Sequence, residues 1–153
     1  MTSIENKIRK RIGVVAHDDN RIELIGWAYH HKHALMHHEV VATEKVANIL
    51  EGVLNVPVSK LLSSPLRSHQ HLAVMLAEAK LDIIIFLSDP LEPGVFQKDD
   101  KALLELALSS NIIIAANRRT ADFVLNSMLM HADNVVEMHR KETQSTLETS
   151  IAI

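Results

Sequence analysis

Apolar and polar positions follow two patterns that alternate along this chain. Short unbroken apolar runs are typical of strands buried on both faces of a sheet. The clearest is Ile83–Leu87, which is closed by Asp89 and Pro90, and a proline cannot extend the strand pairing. The predicted strands are Arg11–Ala16, Glu39–Thr43, Val56–Leu62, Ile83–Leu87 and Ile112–Ala116, with a short further strand over 134–138.

Between the strands, apolar residues return every three or four positions, as they do on one face of a helix. The first helix is predicted to begin at Asp19 or Asn20 and to end near His37, and Asn111 is predicted to end the fourth. The inner stripes are Leu24, Ile25, Ala28 and Leu35; Val46, Ile49, Leu50 and Val53; Leu72, Met75, Leu76 and Ala79; Leu103, Leu104, Ala107 and Leu108; Ala121, Val124, Leu125 and Met128.

Strands that alternate with helices in this way predict an α/β fold with a mainly parallel sheet. Right-handed crossovers place helices on both faces, which gives a doubly wound three-layer α/β/α sandwich. We expect Ile83–Leu87 to be the central strand and the Pro57 segment to lie at an edge. Residues 1–10 are predicted to form a polar arm, 11–138 the domain and 139–153 a polar tail.

Composition narrows the class of protein. The chain has 153 residues, of which 47% are hydrophobic, and this amount of apolar surface favours one globular domain. A net charge of −3 and only one Trp, one Tyr and three Phe argue against a nucleic-acid partner. The absence of cysteine excludes disulfides and thiolate metal sites. Neither a signal peptide nor a membrane span is recognisable, so we expect a cytoplasmic protein with no membrane partner.

Polar residues follow each predicted strand, where parallel sheets bind ligands. They are His17 and Asp18; Thr43; Ser63, Ser64, Arg67 and His69; Asp89 and Asp99; Asn117, Arg118 and Thr120. A carboxylate near histidines can move protons beside a carbonyl, and Arg, Ser and Thr at helix N-termini can hold an anion. Each residue also has a local explanation, since helix starts and turns attract these types for capping and for the macrodipole.

The histidines of the first helix suggest a metal site, but we predict none. His30, His33 and His37 share one helix face, and such spacing can chelate zinc or copper. That face is predicted to be exposed and contains no carboxylate, so a solvated polar stripe is the favoured interpretation. The chain also lacks a dinucleotide fingerprint, a P-loop and an HExxH motif.

Five segments resemble methylglyoxal synthase, in that family's order and spacing over about residues 10 to 138. They are VVAHDDNR from Val14, LSSP from Leu62, LDIIIFLSDPLE from Leu81, DDKALLELA from Asp99 and AANRRTADF from Ala115. The resemblance implies a five-stranded parallel sheet and a homohexamer. It also implies conversion of dihydroxyacetone phosphate to methylglyoxal and phosphate through an enediolate, with no metal or other cofactor.

Several residues match the family's acid–base positions. His17 and Asp18 stand at its His-Asp pair, and Asp99 matches one of its aspartates. His69 stands where the family has its catalytic aspartate, and Phe96 replaces a histidine. Because neutral imidazole can also act as a base, this exchange is compatible with retuned chemistry.

The phosphate-binding positions match only in part. Arg21 replaces a lysine that reaches the phosphate, and Thr43 and Ser63 match hydroxyl residues. Ser64 replaces a glycine, and Glu44 follows Thr43 where a neutral turn would be expected to approach the anion. Arg67, in the diverged motif, adds a cation that can contact phosphate.

These residues leave three hypotheses for the function. The first is a diverged protein of this type that binds a small anionic or phosphorylated ligand with weak or lost lyase activity. The second is an active synthase with His69 or Asp99 as base. The third is a regulatory or protein-interaction module, because the same fold hosts different functions.

Overall fold

The computed structural model describes residues 9–16, 21–61, 65–87, 98–127 and 130. For residues 65, 66, 98 and 99 it describes only the backbone. The predicted strand over 134–138, residues 1–8 of the arm, the tail and Met128 lie outside these residues. None of the described helices has the length and apolar character needed to cross a bilayer.

Five parallel strands form one sheet, as predicted. They are β1 Arg11–Ala16, β2 Glu39–Ala42, β3 Ser59–Lys60, β4 Ile83–Leu87 and β5 Ile113–Ala115, in the spatial order β3-β2-β1-β4-β5. The expectation that β4 is the central strand is wrong, because β1 takes that place. The chain adds β2 and β3 on one side of β1 and then returns to add β4 and β5 on the other. This reversal creates a topological switch point between β1 and β4.

The described residues contain six helices, of which the first five lie between strands and the sixth follows β5. They are α1 Arg21–His30, α2 Lys32–Leu35, α3 Glu44–Leu54, α4 Pro65–Ala77, α5 Lys98–Ser109 and α6 Arg118–Leu125. The single helix predicted from Asp19 or Asn20 to His37 is therefore divided. The backbone departs from helical geometry at His31, with φ −102° and ψ 14°. The His31 side chain is buried and bound to Asp122 of α6, which fixes the position of this bend.

The sheet is covered on both faces. One face packs Trp27, Leu50 and Ile85 with their neighbours on α1, α3 and α6, and the other packs Ile84 and Phe86 with α4 and α5. Burial of a side chain of this size stabilises a fold by about 1.5–3 kcal/mol. Residues 83–86 are buried throughout, which confirms that β4 contacts helices on both sides.

Gly13 of β1 allows α4 to approach the middle of the sheet. A Cβ at this position would lie 3.3 Å from Leu72 and 3.3 Å from Leu81. Both leucines are buried, so they have little room to withdraw. The lone glycine of the first strand thus has a packing role.

Three residues assigned to inner stripes are not in the core. Ile25 is 38% exposed because α1 turns Leu24, Trp27 and Ala28 inward, and Leu108 is exposed beside the buried Ala107. Ala79 lies beyond the end of α4, in a left-handed conformation with φ 55°. Asn111 has the same conformation after α5, which confirms it as the residue that ends that segment.

The edge strand β3 begins later than the predicted Val56 because the backbone before Ser59 does not pair with β2. Pro57 has no N–H to donate. The Val58 N–H donates to the Glu51 carboxylate at 2.9 Å, and this bond lowers the pKa of Glu51. A side-chain hydrogen bond to α3 therefore replaces further backbone pairing with β2 at this position. Because β3 is the edge strand of the sheet, the prediction that the Pro57 segment lies at an edge is confirmed.

An ion pair joins β1 and β4 at the amino-terminal ends of these strands. The Asp82 carboxylate accepts the Arg11 backbone N–H at 2.7 Å and the Arg11 Nε–H at 3.2 Å. Burial raises the pKa of Asp82, but the hydrogen bonds and charge of Arg11 outweigh this effect and lower it below the usual 3.8. The ionised form therefore stabilises the fold above about pH 4, and this contribution is lost as the pH falls through the lowered pKa.

We expect Asp82→Asn to lower the free energy of unfolding by about 1 kcal/mol at pH 7, since both partners are partly exposed and solvent screens the pair. Urea unfolding at pH 7 and at about pH 3 tests this, and the difference between the two proteins should be smaller at the lower pH. Glu78→Gln, in an exposed pair with Lys80, is the control and should stay within about 0.5 kcal/mol. A difference that persisted undiminished at pH 3 would contradict the electrostatic origin.

Candidate active site

The candidate site lies at the carboxyl edge of the sheet, where the helices that follow the strands begin. In a doubly wound sheet the ligand crevice lies beyond the strand ends at the switch point, here between β1 and β4. The segments that directly follow these two strands are outside the described residues. The first turns of α3, α4, α5 and α6 are described, and they show which side chains come together.

His69, near the start of α4, and Asp100, in the first turn of α5, form a hydrogen-bonded pair. His69 Nε2 lies 2.8 Å from Asp100 Oδ1. The Asp100 side chain is 3% exposed and that of His69 is 21% exposed. A buried carboxylate needs a hydrogen-bond donor, and the imidazole supplies one. The sequence separates the two residues by 31 positions, so only the packing of α4 on α5 unites them.

This pair has the form of a general base with a carboxylate partner. When Nε2 carries the proton that is shared with Asp100, the lone pair of the neutral imidazole is on Nδ1. The partial exposure of His69 leaves the ring accessible to a small molecule. The arrangement can therefore take a proton from carbon beside a carbonyl.

Thr43 and Glu44 begin α3 after β2. Thr43 occupies the N-cap position with φ −60° and ψ 158°, yet its side chain makes no capping hydrogen bond. Glu44 is exposed in the first turn and brings a negative charge to the helix N-terminus. The start of α3 thus combines a hydroxyl that is not used for capping with a carboxylate that opposes anion binding.

Polar residues at the start of α6 make local contacts. Such contacts were the alternative to a ligand-binding role for these residues. Asn117 Oδ1 accepts the Thr120 backbone N–H at 2.8 Å and its hydroxyl at 3.0 Å. Asn117 is therefore the N-cap, and Thr120 is its donor. Arg118 lies 4.0 Å from Glu23 of α1. These contacts explain the polar residues here without a ligand.

The arginines assigned to phosphate both lie at helix starts. Arg21 is the first residue of α1, and Arg67 is in the first turn of α4, two positions before His69. Both are exposed. Their placement is compatible with an anion at this edge, and their roles there stay predictions.

The other predicted site residues are only partly located. His17, Asp18, Ser63 and Ser64, together with Asp89 and Phe96, lie outside the described residues. Asp99 is in the first turn of α5. Asp100 was absent from the predicted site, because two consecutive aspartates at a helix start give no sign of which one meets a distant histidine.

The histidines near α1 and α2 divide into two groups. His30 and His33 are exposed, as the polar-stripe interpretation expected, whereas His37 of the same predicted face is half-buried, with its ring centroid 5.1 Å from that of His33. His31 is buried with Nε2 at 2.6 Å from Asp122, and the buried His38 accepts the Lys10 backbone N–H on Nδ1 at 3.0 Å. These two therefore serve the fold. Within the described ranges, no three His, Cys, Asp or Glu side chains are grouped so as to hold a metal ion.

A cavity of about 340 Å³ lies beside α4, away from the carboxyl edge. Its lining includes Glu39 at the start of β2, with Lys60, His71, Met75 and Lys80. Its two lysines are already paired, with Glu51 and Glu78. The chemistry of the His69–Asp100 pair and the sheet topology both favour the carboxyl edge as the functional site.

The chain is similar to proteins named methylglyoxal synthase. No family model matches the chain. A methylglyoxal synthase from Pseudoalteromonas atlantica is 41% identical over 122 residues, which cover 80% of this chain and 90% of that protein. One from Coxiella burnetii is 40% identical over 124 residues, which cover 81% and 87%.

A solved structure supports the same assignment. The crystal structure of methylglyoxal synthase from Elizabethkingia anophelis superposes with a TM-score of 0.70 at 36% identity, covering 80% of this chain and 81% of that one. Sequence identity, coverage and fold therefore agree, and they confirm the resemblance found in the sequence. This chain belongs to the methylglyoxal synthase family.

Proposed function

We propose that this protein is a lyase of the methylglyoxal synthase type, which converts dihydroxyacetone phosphate to methylglyoxal and phosphate with His69 as the base. The observation that carries the proposal is the His69–Asp100 pair at the carboxyl edge of the sheet. His69 stands where the resemblance assigns the family's catalytic aspartate. A neutral imidazole paired with a carboxylate has the same net charge as the carboxylate it replaces, so the site keeps a base of the same overall charge.

In the proposed reaction, His69 removes a proton from the hydroxymethyl carbon next to the carbonyl. The electrons of that C–H bond form an enediolate, which expels phosphate as the C–O bond breaks. The hydroxyl proton of the former hydroxymethyl carbon passes to the leaving phosphate as that carbon becomes the aldehyde. Return of a proton to the carbon that carried the phosphate gives methylglyoxal, so atoms and charge balance. Arg21, Thr43, Ser63, Ser64 and Arg67 are proposed to bind the phosphate.

The remaining predicted residues are proposed to assist the proton transfers. Asp99, next to Asp100 in the first turn of α5, and the pair His17 and Asp18 after β1 are the candidates. The resemblance gives these three positions to acid–base groups. The reaction as proposed uses no metal or cofactor.

We expect His69→Gln to lower kcat for methylglyoxal release by about 10²- to 10⁴-fold, the usual contribution of a general base. The assay uses dihydroxyacetone phosphate and purified protein. His33→Gln is the matched control, since His33 is exposed on α2, and it should keep wild-type turnover. No methylglyoxal from wild-type protein at high concentration would overturn the lyase proposal.

A second candidate is ligand binding with weak or no turnover, and Glu44 is the observation that favours it. The partial positive charge of the α3 N-terminus would ordinarily attract a phosphate. The Glu44 carboxylate in the first turn offsets this charge. The protein would then hold a small anion loosely, as a diverged member of its family.

We expect Glu44→Gln to tighten binding of inorganic phosphate by about two- to fivefold, which is the usual strength of one charge at a helix N-terminus. Isothermal titration calorimetry at low ionic strength measures the affinity. Glu105→Gln, on the exposed face of α5, is the control and should leave the affinity unchanged. If wild-type protein and Glu44→Gln bound phosphate with equal affinity, the hypothesis that phosphate binds at the start of α3 would be contradicted.

We further propose that the protein is a homo-oligomer, a hexamer by resemblance to the family. Ile22, Ile25 and Tyr29 form a second apolar stripe on the exposed side of α1. Phe123 is exposed on α6, which is joined to the α1 region by the His31–Asp122 pair. Exposed apolar side chains at helical spacing are typical of a surface that another copy covers.

We expect Ile22→Glu to reduce the mass measured by light scattering after size-exclusion chromatography, because a carboxylate cannot be buried unpaired in an apolar interface. Val74→Glu, on the exposed side of α4, is the control and should retain the wild-type mass. A wild-type protein that is monomeric at all concentrations would overturn the oligomer proposal.

A further inference from the structure

We propose that the cavity beside α4 binds a small apolar amino acid, with Glu39 facing the ammonium group and with Arg11 and Lys80 facing the carboxylate. The cavity has a volume of about 340 Å³. Small-molecule sites occupy about 300–1,000 Å³, so a compact ligand fits. The cavity is separate from the carboxyl edge of the sheet, and its occupancy does not depend on the lyase function.

One face of the sheet forms the floor of the cavity. Arg11 of β1 is in register with Glu39 of β2. Val41, two positions after Glu39, is in register with Ser59 of β3. Residues in register on parallel strands, and residues two apart on one strand, share a face of the sheet. On this face α4 packs over Gly13 in the middle of the sheet, so a groove is left over the outer strands.

The body of the cavity is apolar. Val41 contributes a buried floor, and Met75 of α4 contributes a half-buried wall next to His71. A methionine side chain is unbranched and polarizable, so it adapts to apolar groups of different shape. An aliphatic side chain of a ligand would remove both residues from water, which favours binding.

Three charged residues meet at the end of the cavity where β1 and β2 begin. Arg11 Nη2 donates to the Ala79 carbonyl at 2.9 Å, which brings the guanidinium next to Lys80. The Lys80 backbone N–H donates to the Met75 carbonyl at 2.7 Å, which fixes this residue at the wall. Glu39 is exposed and neighbours Arg11 in the sheet. This end of the cavity therefore combines two cations with one carboxylate.

The cations have partners, but the partner carboxylates are not among the described residues that line the cavity. Arg11 is bound to Asp82, and Lys80 Nζ lies 2.9 Å from Glu78. The pair of Lys80 is exposed on both sides, so solvent screens it and it contributes little. An ammonium group has three N–H donors, and a ligand can therefore share it. Lys60 also lines the cavity but is directed to Glu51 of α3, on the other face.

A zwitterion matches this arrangement better than a simple anion. A simple anion would meet the carboxylate of Glu39 as well as the cations, and like charges repel each other. Neighbouring strands lie only about 4.7–4.9 Å apart, so the opposite charges of Arg11 and Glu39 are close together. The ammonium and carboxylate of an amino acid are attached to one carbon and can reach both. The apolar side chain then lies against Val41 and Met75.

Titration of the full chain with L-leucine tests the proposal, with NMR of isotope-labelled methionine methyl groups as the readout. We expect a saturable shift of the Met75 methyl signal, which is assigned with Met75→Leu. The methyl signal of Met130, buried on the opposite face of the sheet, should not move. If L-leucine, L-methionine and L-phenylalanine all failed to shift the Met75 signal, the site would be disproved.

Two analogues of leucine test the need for both charges. Isocaproate lacks the ammonium group, and isoamylamine lacks the carboxylate. Each should bind at least about tenfold more weakly than L-leucine, because each loses a charge-assisted contact. Isocaproate that bound as tightly as L-leucine would show a site for simple anions and would overturn the amino-acid assignment.

Variants of the charged end give opposite results for the two kinds of ligand. Glu39→Gln and Lys80→Gln should each weaken binding of L-leucine by about two- to fivefold, since glutamine keeps a hydrogen-bonding group but no charge. Glu105→Gln and Lys101→Gln, both exposed on α5, are the matched controls and should bind as wild-type protein does. Tighter binding by Glu39→Gln would contradict the role of Glu39. Methylglyoxal release is not measured, so the result is independent of the lyase proposal.

Discussion

Burial of the sheet on both faces is the constraint on which the rest of the structure depends. Residues 83–86 of β4 contact the helices α1, α3 and α6 with one set of side chains and α4 and α5 with the other. Parallel pairing then requires every strand to end at the same edge, and every following helix to begin there. The first turns of α4 and α5 are brought side by side because both helices pack on the same face. The His69–Asp100 contact is therefore a product of the core.

The two edges of the sheet have different chemistry. At the amino edge, Arg11 and Asp82 satisfy each other and join β1 to β4, and the pair stabilises the fold. At the carboxyl edge, a buried carboxylate is held against a partly exposed imidazole, and Thr43 does not cap the helix that follows it. Such a mixture of buried charge and accessible base is typical of sites that move protons. The same types of residue thus serve stability at one end and, as we propose, chemistry at the other.

Position 69 is where, as we propose, this protein has a base of a different type from its family. The resemblance places an aspartate there, and this chain has a histidine whose ring is bound by an aspartate from another helix. In the function that we propose, the neutral imidazole and its carboxylate partner together carry the charge of the single carboxylate, and the basic atom belongs to the imidazole. The phosphate positions have changed more, since Glu44 places a carboxylate in the first turn of α3. The affinity for phosphate is therefore the property in which this protein is expected to differ most from its relatives.

The sequence by itself determined the order of strands and helices, the parallel sheet and the family, because periodicity and local motifs are properties of neighbouring residues. It also identified the edge where chemistry is expected and placed His69 there. Tertiary structure alone decided that β1 lies in the middle, that Ile25 and Leu108 face outward and that Asp100 meets His69. Strand order and the rotation of each helix are set by which faces pack together, and a contact across 31 positions leaves no local pattern. The apolar stripe of α1 shows the same limit, since a helix that is apolar on two sides does not reveal which side the core covers.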